Sequence, residues 1–201
     1  MAAIARSDPV AAPGVGASRN LVAGQDGEGL PGVSVRAAES RRSCHSTAAS
    51  TVVFIDSRVA DRETLIAGLG ADSEWILLDA GDDGLLQMQG ALADRRDLAS
   101  IRILAHGHPG ALLLGAGQLT RATLAAHACE LALIGRALHR DGDVQIYGCA
   151  VGQGRTGRAF VEALATALGV PVAAASAPVG HADLGGGWRL DVGQRRTPPL
   201  H

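Results

Sequence analysis

The stretch VQIYGCAVGQGRTG (144–157) admits two readings, and the choice between them sets both the fold and the chemistry. From Gly152 to Gly157 it matches the G-x-G-x-x-G pattern of a phosphate-cradling loop. Immediately before that, however, an apolar β-type run delivers Cys149. A dinucleotide loop needs an acidic residue about 20 positions on to hold a ribose. The next apolar run ends in AAASAP (173–178), and the nearest acid, Asp183, lies beyond it in a glycine-rich loop. The motif also follows the fourth strand-like run rather than the first. No nucleotide is therefore expected, and the glycines have a structural role instead. Gly152 and Gly154 permit a tight connection, and Gly157 lets a helix pack closely.

Working outward, apolar runs alternate with amphipathic segments: VVFID (52–56), a helix over 60–69, WILLD (75–79), a helix over 84–94, IRILA (101–105), a helix over 119–139, VQIYG (144–148), a helix over 154–168, and PVAAAS (171–176). This alternation predicts a three-layer αβα sandwich with a mostly parallel sheet, whose sites lie where the strands end. ALLL (111–114) and GWRLD (187–191) read as edge or hairpin strands, and Cys129 reads as a core thiol of the helix over 119–139. Residues 1–50 are rich in Ala, Gly, Ser and Pro without apolar periodicity and read as a disordered leader. The folded domain is expected over 51–192 and an unstructured tail over 193–201.

Composition removes several functions. The formal charge of -2 gives no basic footprint, and five aromatic residues offer little for base stacking, so nucleic acid is not an expected partner. All 18 cationic side chains are arginine, which excludes a Walker lysine and a Schiff-base lysine. Three cysteines, Cys44, Cys129 and Cys149, form no paired motif. His127, His139 and His181 have no ligand spacing, so neither a metal nor a cofactor is expected. Asp79, Asp82 and Asp83 lack the alternation of a calcium loop and read as loop and N-cap acids. No apolar run approaches the ~20 residues of a membrane span, and the N-terminus lacks the apolar core of a secretory signal.

Two successive core strands end in chemistry. IRILA is followed at once by His106 and Gly107, and VQIYG by Cys149. Neighbouring parallel strands lie ~5 Å apart, which would bring an imidazole and a thiol to one sheet edge. A cysteine nucleophile needs such a base to favour its thiolate. The same residues also allow a quieter reading, in which Cys149 is a buried thiol and His106 caps the turn HGHPG.

The blocks FID (54–56), LDAGDDGLLQM (78–88), LAHGHPGALLLGAGQLT (104–120), DVQIYGCAVGQG (143–154) and GGGWRLD (185–191) together resemble the domain of unknown function 4347 family. Its members are caspase-like modules, similar to clan CD cysteine peptidases and found near the N-termini of large bacterial surface adhesins. The resemblance implies a caspase-like sheet, with His106 as acid/base, Cys149 as nucleophile, and the backbone N–H groups of Gly107 and Cys149 as an oxyanion hole. It places Asp56 and Arg58 near a substrate pocket, where Asp56 would favour a basic side chain and Arg58 an acidic one, unless the two pair with each other. It also implies a polypeptide substrate, either the protein's own chain or a partner, and a secreted or cell-surface setting. Ala105 stands where the family pattern has serine. The alternative is a non-catalytic recognition module of an adhesin.

Overall fold

The computed structural model describes residues 50–181, 185–198 and 200. The leader expected over 1–50 lies, apart from Ser50, outside the described residues. Six strands form the main sheet: β1 (Thr51–Asp56), β2 (Ser73–Leu78), β3 (Leu98–Leu104), β7 (Leu138–Tyr147), β8 (Val172–Ala174) and β9 (Val192–Gly193), in the order β2-β1-β3-β7-β8-β9. The first five are mutually parallel, and β9 closes the row antiparallel to β8. A second, antiparallel sheet joins β4 (Gly107–His108), β5 (Ala111–Leu114) and β6 (Gly117–Thr120).

Period-2 alternation sorts the central strands into two walls. Val52, Phe54, Ile101, Ile103, Val144 and Ile146 belong to the larger core, which is covered by α2 (Gly84–Leu92), α3 (Ala128–Gly135) and α4 (Gly154–Leu168). On α4 the buried residues Gly157, Phe160, Val161, Leu164 and Leu168 recur at helical spacing and make one apolar stripe. Val53, Ile55, Leu104, Tyr147 and Ala173 face the other way. That wall is covered by Leu65 and Ile66 of the short helix α1 (Arg62–Ala67), together with Trp188, Leu190 and Leu200 from the last, extended part of the chain. The architecture is thus a three-layer αβα sandwich in which chain without regular structure supplies part of one outer layer.

Local chemistry explains most boundaries. Asp83 caps α2, its carboxylate accepting the N–H of Leu85 (2.9 Å) and Leu86 (3.1 Å). Gly169 at φ 73° ends α4. The helix expected over 119–139 is shorter than its apolar pattern suggested. Gly117–Thr120 pairs with β5 as a strand, and the Thr123 hydroxyl accepts the Thr120 N–H (2.9 Å), favouring a turn over a helix there. In the shortened α3 the buried face is Leu131, Ile134 and Gly135, so Cys129 is exposed rather than a core thiol. The strand expected over 187–191 forms instead at Val192–Gly193, with only an isolated bridge at Gly187.

Among the described residues, the segment expected to be an unstructured tail has no helix or strand after Gly193, but it is fastened. Asp143, Gln145 and Tyr147 line one face of β7 and take hold of it. The N–H groups of Arg196 (2.5 Å) and Thr197 (2.8 Å) donate to one Asp143 oxygen, and the hydroxyls of Thr197 and Ser100 donate to the other (both 2.8 Å). Gln145 donates to the Thr197 hydroxyl (2.7 Å), and the Tyr147 hydroxyl accepts the Leu200 N–H (2.7 Å) while donating to Gln145 (2.8 Å). Burial by itself would raise the Asp143 carboxyl. The N–H groups of Thr197 and Arg196 and the two hydroxyls outweigh it and hold the group below its ordinary value.

A depressed folded value means that the stabilisation is complete above the unfolded value of about 3.9 and is lost as pH falls through the lower folded one. Unfolding by denaturant should therefore show a stability that is flat from about pH 7 to 5 and falls below about 4. Asp143→Asn should cost about 1–3 kcal/mol at neutral pH and flatten the acid limb.

Candidate functional site at the carboxyl edge of the sheet

The β3–β7 pairing aligns Leu104 with Tyr147, and the Ala105 N–H continues the ladder to the Tyr147 carbonyl (3.3 Å). His106–Gly107 and Gly148–Cys149 therefore leave the sheet side by side. The two loops interlock around Val151. A Cβ on Gly107 would strike the Val151 side chain and sit 3.5 Å from the Cys149 carbonyl. One on Gly148 would lie 2.9 Å from Val151 and 3.2 Å from the Ala105 carbonyl. The Gly110 N–H completes the contact by donating to the Val151 carbonyl (3.0 Å). Glycine is required at 107 and 148 because two backbones and a valine meet there.

His106 is exposed, and its Nε2 lies 3.2 Å from the Arg58 carbonyl. With a carbonyl as partner, Nε2 is assigned the proton, which leaves Nδ1 as the basic nitrogen. Arg58 is fixed in turn. Its Nε and Nη2 fork onto Asp56 (both 2.8 Å), and Nη2 also donates to the Gly115 carbonyl (2.7 Å). Asp56 is wholly buried and accepts the backbone N–H of Arg58 (3.0 Å) and Gly115 (2.9 Å) as well. Burial pushes the Asp56 carboxyl up, but the Arg58 guanidinium and the two backbone donors overcome this and hold it below its usual value. Asp56 and Arg58 are thus paired with each other at the end of β1, and the carbonyl of Arg58 is what meets His106.

Cys149 is partly buried. Its sulfur accepts the Val179 N–H (3.4 Å) and lies 3.6 Å from the Val179 carbonyl. The next residue, Ala150, adopts φ 56°, unusual for a residue with a Cβ, and is held there by its N–H bond to the Ala177 carbonyl (3.0 Å). His106 and Cys149 consequently share one edge on adjacent strands, each hydrogen-bonded to a different backbone neighbour. His108 belongs to the hairpin instead, accepting from the Gln118 amide (2.8 Å) across β4–β5–β6. Gly152 and Gly157 pack closely, since a Cβ on Gly157 would strike the Gly152 backbone and one on Gly152 would lie 2.8 Å from the Val192 side chain, whereas Gly154 stands in open space at φ 68°. Among the described residues, no three His, Cys, Asp or Glu side chains converge as metal ligands, and no helix is long and apolar enough to cross a membrane.

Sequence reasoning missed Val179, the Arg58 carbonyl and Ser176, whose N–H and hydroxyl bind Asp191 (2.9 and 2.6 Å) and tie the loop after β8 to the chain before β9. Two of these three act through backbone atoms, which leave no residue-type signal.

Fold and site together define an α/β protein that presents a histidine loop and a cysteine loop from adjacent central strands. The profile of the family described as Domain of unknown function (DUF4347) matches residues 52–199, and the chain belongs to that family. Neither the curated proteins nor the solved structures give a match.

Removing Arg58 would strand the buried Asp56 and unsettle the carbonyl that meets His106. The Arg58 side chain is 38% exposed, so water would partly compensate. Arg58→Ala should cost about 1–3 kcal/mol rather than the 3–5 kcal/mol typical of a fully buried pair, as measured by chemical denaturation.

Proposed function

We propose that the protein is a caspase-like Cys–His hydrolase of the peptidase type, with Cys149 as nucleophile, His106 as acid/base and polypeptide as substrate. The observation that supports it is the delivery of His106–Gly107 and Gly148–Cys149 to one sheet edge by adjacent parallel strands. The family resemblance adds the setting, a module of a secreted or surface-exposed bacterial protein.

The steps follow from the groups present. His106 Nδ1 takes the Cys149 proton, and the thiolate attacks the carbonyl carbon of a peptide bond. Backbone N–H groups of Gly107 and Cys149 stabilise the oxyanion. The C–N bond then breaks, and the amine leaves with the proton from His106. Water, deprotonated by His106, cleaves the thioester to a carboxylic acid and restores the thiol. The Arg58 carbonyl, bound to Nε2–H, favours the tautomer that leaves Nδ1 basic. Substrate entry displaces the Val179 N–H from sulfur.

One observation favours a second reading. The partly buried thiol is already engaged by Val179, as it would be in a non-catalytic recognition module. The two readings separate by alkylation with iodoacetamide at neutral pH, in a Cys44→Ser, Cys129→Ser background. A hydrolase labels at Cys149 in the native state, and His106→Ala slows labelling about 10–100-fold. Labelling of Cys149 only in denaturant would leave the recognition module.

A further inference from the structure

The outward face of α4 carries charges that the chemistry of Cys149 and His106 leaves unused. Gly157, Phe160, Val161, Leu164 and Leu168 take the buried stripe, which leaves Arg155, Arg158 and Glu162 together on the exposed side, three and four residues apart. With Gly154 and Ala159 they line a groove of about 430 Å³. Nothing lies within 4 Å of where a Cβ on Gly154 would stand, so the groove is open at that end. Arg58 and Arg95 fork onto Asp56 and Glu74, but among the described residues neither Arg155 nor Arg158 has a hydrogen-bond or ion-pair partner. Two guanidiniums face one carboxylate, so the groove has a net positive charge.

The main chain ties this groove to the site. The Gln153 N–H donates to the Ala150 carbonyl (2.9 Å) and folds 150–153 into a turn. The ends of such a turn lie within about 7 Å and consecutive Cα atoms are ~3.8 Å apart, so Gly154 stands at most about 15 Å from Cys149, Cα to Cα. The first turn of α4 also meets the histidine loop, since a Cβ on Gly110 would stand 2.6 Å from the Thr156 methyl.

We propose that the groove is a subsite for acidic polypeptide, in which Arg155 and Arg158 receive Asp or Glu side chains within about five residues of the bond that Cys149 attacks. This rests on the hydrolase reading and supplies its substrate class. Extended chain advances ~3.3 Å per residue, so about five residues bridge the interval between sulfur and groove. Neighbouring side chains on one helix face start ~5–6 Å apart, and residues i and i+2 of an extended chain project to one side about 6.6 Å apart. An acid-x-acid pattern therefore matches the two guanidiniums one to one. A compact anion would have to draw both onto itself on an open helix face.

The test reads fluorescence anisotropy of two short fluorescein-labelled peptides, one repeating Glu-Ser and its counterpart repeating Gln-Ser, on the full chain carrying Cys149→Ala. The Glu peptide should bind more tightly than the Gln peptide and weaken with added salt. Arg155→Gln combined with Arg158→Gln should weaken its binding about 3–10-fold, and Glu162→Gln should tighten it about 2–3-fold. Shifts in opposite directions from one helix face separate the loss of charge from damage to the fold. A proteome-derived peptide library digested by the unaltered protein should show Asp or Glu enriched within about five residues of each cut, an enrichment that the double arginine variant loses. Equal binding of the two peptides, an unchanged affinity in the double variant, cuts without acidic enrichment, or an uncut library would overturn the proposal. Displacement of the Glu peptide by inorganic phosphate at matched ionic strength would overturn it too and assign the groove to a compact anion. Native alkylation of Cys149 alongside any of these results leaves the hydrolase reading standing; alkylation only in denaturant removes that reading and the substrate subsite with it.

Discussion

The parallel pairing of β3 with β7 is the constraint on which the remaining geometry depends. Both strands are sheet interior, and their register sets Ile101 against Val144 and Ile103 against Ile146 on the larger core. A slip of one residue would turn Asp143 and Gln145 into that apolar core and expose Val144 and Ile146 to the polar side, so the register is strongly specified. With the register fixed, the chains emerging at the carboxyl edge have no freedom in which residues meet. Gly107 and Gly148 face each other across Val151, and His106 and Cys149 flank that contact.

The opposite wall of β7 shows how polar groups are accommodated inside a sheet layer. Asp143 and Gln145 are buried, and an unpaired carboxylate or amide there would cost several kcal/mol. Backbone N–H groups of Arg196 and Thr197 and the Thr197 hydroxyl, with the Ser100 hydroxyl of β3, supply the missing partners, so that chain segment joins α1 in covering this wall. A polar network satisfied in this way is demanding about geometry, because each member has a fixed donor or acceptor to meet. It selects one path for the segment over the many that an apolar surface alone would accept.

At the end of β1 an ion pair performs a positioning task. The guanidinium of Arg58 folds back onto Asp56 and Gly115, which turns its own carbonyl towards His106. The first strand therefore contributes to the site through its main chain, and the two charged residues that the family resemblance places near a substrate pocket are engaged in holding that main chain still. Cys149 is treated similarly, with its sulfur met by the Val179 N–H and the following residue constrained at positive φ by Ala177.

The sequence by itself determined the alternation of strands and helices, the parallel sheet, the cap at Asp83, the apolar stripe of α4, the hairpin strand at ALLL, and the placement of His106 and Cys149 at strand ends. Each of these follows from short-range periodicity or from the chemistry of a single residue type, which a linear reading captures. Tertiary structure alone decided that Gly117–Thr120 joins a hairpin and not a helix, that Cys129 is exposed, that the Arg58 carbonyl meets His106, and that the segment from Arg196 to Leu200 climbs β7. These outcomes rest on partners distant in sequence, such as Thr197 against Asp143 and Leu200 against Tyr147, or on backbone N–H and C=O groups that every residue carries. Nothing in the local order of side chains distinguishes one such backbone group from another; only the register of the folded sheet does.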